Sequence, residues 1–178
     1  MCDLDLIKTG SHADIMEKIQ QRPLSFDAQK ELVHRKDFEE ISTYIQLRKF
    51  WDEAEDALIE LGNHYLIMLY ISLHSLHESA EKLLLSRGND EEILEYISRY
   101  PLSTGAEKAF IRRGKREEII AYVSMYPLCE ASKCLLIDRG DTEEILTCLK
   151  AFQFCPSSIL KLIARGNIEE LSAAGISN

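Results

Sequence analysis

Two series of side chains recur at a fixed spacing along the chain and are the first candidates for chemistry. The first series is aromatic: tyrosines that carry a ring for packing and a hydroxyl for hydrogen bonding, a combination typical of peptide-binding surfaces. The second is cationic, and a row of guanidinium groups can bind carboxylates or phosphates. The candidate partner-binding tyrosines are Tyr44, Tyr70, Tyr96, Tyr100, Tyr122 and Tyr126. The candidate anion-binding arginines are Arg87, Arg113, Arg139 and Arg165.

Each series also has a structural interpretation. The tyrosine rings can pack on the neighbouring repeat and leave only their hydroxyls in water. The arginines stand near the end of one predicted helix, where a cation is favoured by the helix dipole. They can also pair with the glutamates that begin the next helix, so both interpretations stay open for both series.

No catalytic or metal-binding signature is present, and we predict a non-enzymatic protein without a cofactor, a catalytic residue or a metal site. His74, His77 and Glu78 resemble half of a metal site, but their order is not the HExxH of a zinc protease. Five cysteines form an odd set without CxxC spacing, which favours free thiols in a reducing, cytoplasmic compartment.

The elements that must position these residues are defined by a 26-residue repeat. Gly62, Gly88, Gly114, Gly140 and Gly166 follow one another at that interval. Gly10 shares their register, and Lys36 occupies the one slot without glycine. We expect each slot to end one helix in the left-handed conformation. Good N-cap residues follow most slots, and an acid three residues later resembles a capping box.

Aliphatic residues divide each repeat into two helices. Ile93 and Ile97 illustrate the first, which starts after the glycine and which we call helix B. Leu84 and Leu85 illustrate the second, helix A, which follows a small residue and spans roughly nine residues. The pattern predicts an all-α protein, a right-handed α-α superhelix of about seven 26-residue helical hairpins. No linker interrupts it, so residues 1–178 are expected to form a single repeat domain.

Composition restricts the partners. The chain has 30 acidic against 21 basic residues and a formal charge of −9, which disfavours nucleic acid and anionic membranes as general partners. No apolar run approaches the length of a membrane span.

In architecture the repeat resembles the two-helix α-solenoid families, most closely HEAT-like and variant leucine-rich-repeat arrays. The resemblance implies a curved scaffold that binds another macromolecule. We therefore predict a protein- or peptide-binding scaffold that uses the helix B face. The alternative is a nucleotide- or nucleic-acid-binding module that uses the arginine series. A monomer is favoured, with the oligomeric state left open.

Two divergent segments carry weaker hypotheses. Trp51, the only tryptophan, is expected to seal a junction with Phe50, with partner contact as the alternative. Tyr65, Leu66 and Met68 form either an exposed patch for self-association or a buried contact with Trp51.

Overall fold

The computed structural model describes residues 2–176, and this range contains helices and no strands. Its fourteen helices form seven successive A–B pairs, as the repeat predicts. The A helices are α1 (Asp3–Thr9), α3 (Phe26–Arg35), α5 (Asp52–Leu61), α7 (Glu78–Arg87), α9 (Thr104–Arg113), α11 (Glu130–Arg139) and α13 (Pro156–Arg165). The B helices are α2 (His12–Gln21), α4 (Phe38–Leu47), α6 (His64–Leu73), α8 (Asp90–Arg99), α10 (Arg116–Met125), α12 (Thr142–Ala151) and α14 (Ile168–Ala173).

The helices fall into two compact units, residues 1–100 with α1–α8 and residues 101–178 with α9–α14. In the first unit each A helix packs against the next A helix, and each B helix against the next B helix. The second unit repeats this arrangement in α9, α11 and α13 and in α10, α12 and α14. Each unit is therefore an array in which a hairpin is covered mainly by the hairpins before and after it.

The predicted helix ends are confirmed at most glycine slots. Gly62, Gly88, Gly114, Gly140 and Gly166 adopt positive φ angles between 71° and 83°. Lys36 also adopts the left-handed conformation, with φ 60°. Gly10 is different, because its φ is −72°. A Cβ at Gly10 would lie 2.5 Å from the Leu6 carbonyl oxygen, so close approach explains this glycine.

The predicted helix starts are also confirmed, but the capping box is not general. Asp37, Asn63, Asn89, Asp141 and Asn167 each accept a hydrogen bond from the first turn of the following helix. A reciprocal capping box forms in one described helix, α2, between Ser11 and Asp14. The acid at the same position of the other repeats is either replaced, as in α6, or buried and bound elsewhere.

The core follows the aliphatic stripe of both helices. Ile41 and Ile45 represent helix B, Leu58 and Ile59 helix A, and all four are fully buried. Ile163 in α13 departs from the pattern, because 49% of its surface is exposed. The turns from one B helix to the next A helix also contribute to the core, as Phe50 and Leu76 show.

Candidate functional site

The turn between α4 and α5 forms an open groove of about 460 Å³ in the first unit. Its lining comes from residues 48–52 together with Pro23, Gln29 and Tyr44. The volume lies in the range of ordinary ligand pockets, and most of the lining is apolar. This turn reads Arg-Lys-Phe-Trp-Asp where the equivalent turn of a regular repeat reads Tyr-Pro-Leu-Cys-Glu, as in residues 126–130.

The floor of the groove is aromatic and rigidly held. The Tyr44 and Phe50 rings stack with centroids 4.9 Å apart, and Phe50 stacks in turn on Tyr70 at 5.8 Å. Gln29 is buried below the turn. Its Oε1 accepts a hydrogen bond from the Trp51 amide at 2.9 Å, while its Nε2 donates to the Leu24 carbonyl at 2.9 Å. Stacking and hydrogen bonds therefore tie the floor to both α4 and the turn before α3.

The rim carries an exposed indole and two cations. Trp51 is 60% exposed, so the prediction that it seals the junction is wrong; Phe50 takes that place because its ring is sandwiched between two tyrosines. Lys49 lies 3.4 Å from the buried Glu55 carboxylate. Arg48 forms no ion pair with any described residue, and its buried Nε lacks a hydrogen-bond partner.

The tyrosines proposed for partner binding divide into two groups. Tyr44, Tyr70, Tyr96 and Tyr122 are at most 1% exposed. Their rings belong to the core: the hydroxyls of Tyr70, Tyr96 and Tyr122 reach the A helix of the same hairpin and the turn before it. A partner on the surface of the array cannot reach these four side chains unless the hairpins separate.

Tyr100 and Tyr126 are only half buried. Their rings tilt against Tyr96 and Tyr122, with centroids 5.4 and 5.2 Å apart. The Tyr100 and Tyr126 rings therefore remain accessible at one edge.

The hydroxyls of three buried tyrosines bind buried glutamates that the sequence analysis missed. Tyr70 donates to Glu55 at 2.5 Å and Tyr96 donates to Glu81 at 2.9 Å. Tyr122 approaches Glu107 at 3.5 Å. Burial, reinforced by the facing carboxylates, raises the pKa of Tyr70 and Tyr96, so their hydroxyls stay protonated and keep donating.

The same tyrosine hydroxyls also accept hydrogen bonds from the chain. The amides of Phe50, Leu76 and Leu102 donate to Tyr70, Tyr96 and Tyr122 at 3.0–3.2 Å. Because the arrangement repeats, we assign it to structure instead of catalysis: each tyrosine–glutamate pair satisfies backbone groups of a turn that would otherwise be buried without partners. A sequence signal existed, since a glutamate follows Ala54, Ala80 and Ala106.

The arginine series binds groups of the chain itself. Each arginine pairs with the glutamate five residues later, at N–O distances of 2.5–3.5 Å, and the glutamate is at most 4% exposed. The pairs are Arg35–Glu40, Arg87–Glu92, Arg113–Glu118, Arg139–Glu144 and Arg165–Glu170. The predicted pairing of the arginines with the glutamates at the start of helix B is therefore seen in all five.

Most of these arginines also reach back to the preceding hairpin. Arg139 donates to the carbonyls of Ile111 and Gly114 at 3.4 and 3.2 Å, and Arg87 and Arg165 bind Gly62 and Gly140 in the same way. The guanidinium thus caps the end of the preceding A helix. No observation in the described residues favours these arginines as an anion-binding surface for nucleic acid.

Histidines form a second set of contacts between B helices. His12 Nδ1 lies 3.1 Å from Glu40, and His64 Nδ1 lies 3.0 Å from Glu92. The hydrogen bond to Glu40, aided by Asp37 and Glu39, raises the pKa of His12. His12, Asp37 and Glu40 bring three potential metal-ligand atoms within 4.8 Å of one another. Arg35, 3.1 Å from Glu40, already supplies a positive charge there.

Two other groups of residues that the sequence analysis considered together do not meet in the structure. Tyr65 is exposed, Leu66 is fully buried and Met68 is half buried, so the three do not form one surface patch. His77 binds buried Glu55 through Nδ1 at 2.7 Å, whereas His74 binds the Ile45 carbonyl, so these two histidines do not converge.

The cysteines of the described range are all unpaired. Burial raises the pKa of the Cys148 thiol to about 11, and Cys148 is a core residue as its helical position predicts.

These features define an all-helical repeat protein in which most members of the arginine and tyrosine series bind other parts of the chain and hold the repeats together. None of its helices in residues 2–176 has both the length and the apolar composition that crossing a membrane requires. Comparison with protein families, with curated proteins and with solved structures finds no match to this chain.

Proposed function

We propose that this protein is a non-enzymatic scaffold that binds a protein or peptide partner, and that the groove at residues 48–52 is a principal contact. The observation that carries the proposal is the exposed Trp51 at the rim of a preformed aromatic groove. Tryptophan is strongly enriched among residues that dominate binding energy. The repeat provides no structural reason for a tryptophan at this position, which serine or cysteine occupies in most of the other turns.

The rest of the array supports binding rather than reaction chemistry. The buried carboxylates are partnered by tyrosine hydroxyls, arginines or backbone amides, as expected for groups that hold hairpins in register. Tyr100 and Tyr126 stay secondary candidates for partner contact, since both rings are partly exposed. A cytoplasmic location and kinship with HEAT-like or variant leucine-rich-repeat scaffolds belong to the same proposal.

The test is selection of random dodecapeptides displayed on phage against the intact chain. We expect enriched peptides whose binding is lost in Trp51→Ala and kept in Tyr65→Ala. Tyr65 is a matched control because it is an equally exposed aromatic residue, 65% accessible, on a different helix. Enriched peptides that bind both variants as well as the unchanged protein would show that the binding site lies outside the groove. The absence of any enriched peptide would contradict peptide binding.

A further inference from the structure

Arg48 is the cation in the groove that the chain leaves without a counter-ion. At the same position of the two neighbouring turns, Arg22 and His74 each have an oxygen atom of the chain as a partner. Arg22 donates to the Asp3 carboxylate at 2.8 Å, and His74 Nε2 lies 2.8 Å from the Ile45 carbonyl oxygen. Arg48 has neither kind of partner among the described residues, although its Nε is removed from water. The side chain as a whole is only half-buried, so a ligand in the groove that brings a carboxylate gives this guanidinium a charge-assisted hydrogen bond.

The charge balance of the groove is opposite to that of the whole chain. Its lining residues include two cations, Arg48 and Lys49, and one acid, Asp52, in a protein whose formal charge is −9. Asp52 forms no ion pair with Arg48, and Lys49 is directed to Glu55. A carboxylate from a partner is therefore the group that complements this site, because guanidinium binds it through two parallel hydrogen bonds.

We infer that the groove binds an acidic peptide segment, with a glutamate or aspartate on Arg48 and an adjacent apolar side chain against the exposed Trp51 indole. This inference rests on the proposed function and names its partner chemistry. The net charge of the chain favours a peptide over a nucleic acid, because the acidic surface repels a phosphate backbone while a short peptide brings only one or two charges.

Trp51 also provides the measurement, because it is the only tryptophan of the chain and its fluorescence reports on the groove alone. Two blocked hexapeptides are compared: one with a central leucine flanked by glutamates, and its twin with glutamines. We expect the glutamate peptide to shift the Trp51 emission to saturation and to bind at least about tenfold more tightly than the twin. The preference should weaken as salt is added, because an exposed ion pair is screened.

Substitution of the arginine tests the assignment. Arg48→Gln keeps the carbon stem and a polar end group but removes the guanidinium, and it should abolish the preference for the glutamate peptide. The control is Arg99→Gln, which removes the same charge from α8, where Arg99 pairs with Glu95 at 2.6 Å; it should leave the preference intact. Equal binding of the two peptides, or a preference that survives Arg48→Gln, would overturn the inference.

The outcomes separate this inference from the proposed function. Phage peptides that need Trp51 but carry no acid would leave the scaffold proposal standing and remove the acidic partner. If peptides bind but none needs Trp51, the acidic-peptide inference and the assignment of the contact to this groove both fail, whereas a scaffold that binds elsewhere still stands. A short single-stranded oligonucleotide that shifts the Trp51 emission as strongly as the glutamate peptide would contradict the assignment to peptide.

Discussion

At the scale of residues, the buried tyrosines show how one ring type serves two environments. Tyr70 binds a carboxylate and receives the Phe50 amide, so its hydroxyl serves both the charge of Glu55 and a turn. Tyr44 occupies the same position one repeat earlier, but the glutamate is replaced there by Gln29. The Tyr44 hydroxyl accepts from the Leu24 amide and faces no carboxylate. The two positions therefore allow the charged hydrogen bond to be examined separately.

We predict that Tyr70→Phe lowers the free energy of unfolding by about 1–3 kcal/mol, because it removes the short hydrogen bond to the buried Glu55 carboxylate and leaves the Phe50 amide without an acceptor. Tyr44→Phe should cost less, since it removes a hydrogen bond between neutral groups. Urea unfolding followed by circular dichroism measures both. Equal losses in the two variants would show that the carboxylate contributes little.

At the scale of elements, three irregularities of the sequence coincide in one contact between hairpins. Arg87, Arg139 and Arg165 lie so close over Gly62, Gly114 and Gly140 that a Cβ at these glycines would collide with the guanidinium. The glycine slot at 36 holds lysine, and the residue 25 positions later, where the arginine belongs, is Leu61. The glutamate that would pair with this arginine is replaced by Leu66. Loss of the arginine thus removes the need for both glycine and glutamate.

This coincidence predicts how the pair responds to substitution. Arg139→Leu alone should destabilise the protein by roughly 3 kcal/mol or more, because the buried Glu144 carboxylate loses its counter-charge. Arg139→Leu combined with Glu144→Leu copies the Leu61–Leu66 pair and should recover much of the loss. The recovery stays partial, since the Ile111 and Gly114 carbonyls no longer receive the guanidinium. A double variant as unstable as the single one would contradict this account.

The pH dependence gives the Arg139→Leu variant an independent readout. Burial already raises the pKa of Glu144 above its ordinary value, and removing Arg139 raises the pKa further. A carboxyl group with a raised pKa in the folded state binds protons more readily than in the unfolded chain. The stability lost in Arg139→Leu should therefore shrink as the pH falls toward the range where Glu144 is protonated. If urea unfolding shows the same loss of stability at every pH, the loss does not come from the Glu144 carboxylate.

At the scale of the whole molecule, stability is distributed along a chain of neighbouring hairpins. Helices of ten residues are marginal alone, so each one depends on the helices packed beside it. The expectation that residues 1–178 form one right-handed domain stays a prediction, whereas the repeat array within each compact unit is established.

A repeat array should respond locally to a local defect. We predict that Arg139→Leu raises amide hydrogen exchange most in α9, α11 and α12, which contain Arg139 or its bonded partners, and leaves α1–α4 nearly unchanged. Exchange followed by mass spectrometry of peptic fragments measures this distribution. A uniform increase across residues 2–176 would instead indicate a single cooperative unit.

The amino-acid sequence by itself determined the helical repeat, because glycine, N-cap residues and aliphatic spacing act within one hairpin and depend on local backbone geometry. It also determined that Arg139 can reach Glu144, since the two are separated by a single turn between helices. Only the tertiary structure decided that Tyr70 lies inside and Trp51 outside. Both are aromatic residues beside the core, and the choice between them depends on which surface the next hairpin covers, a contact between positions distant along the chain.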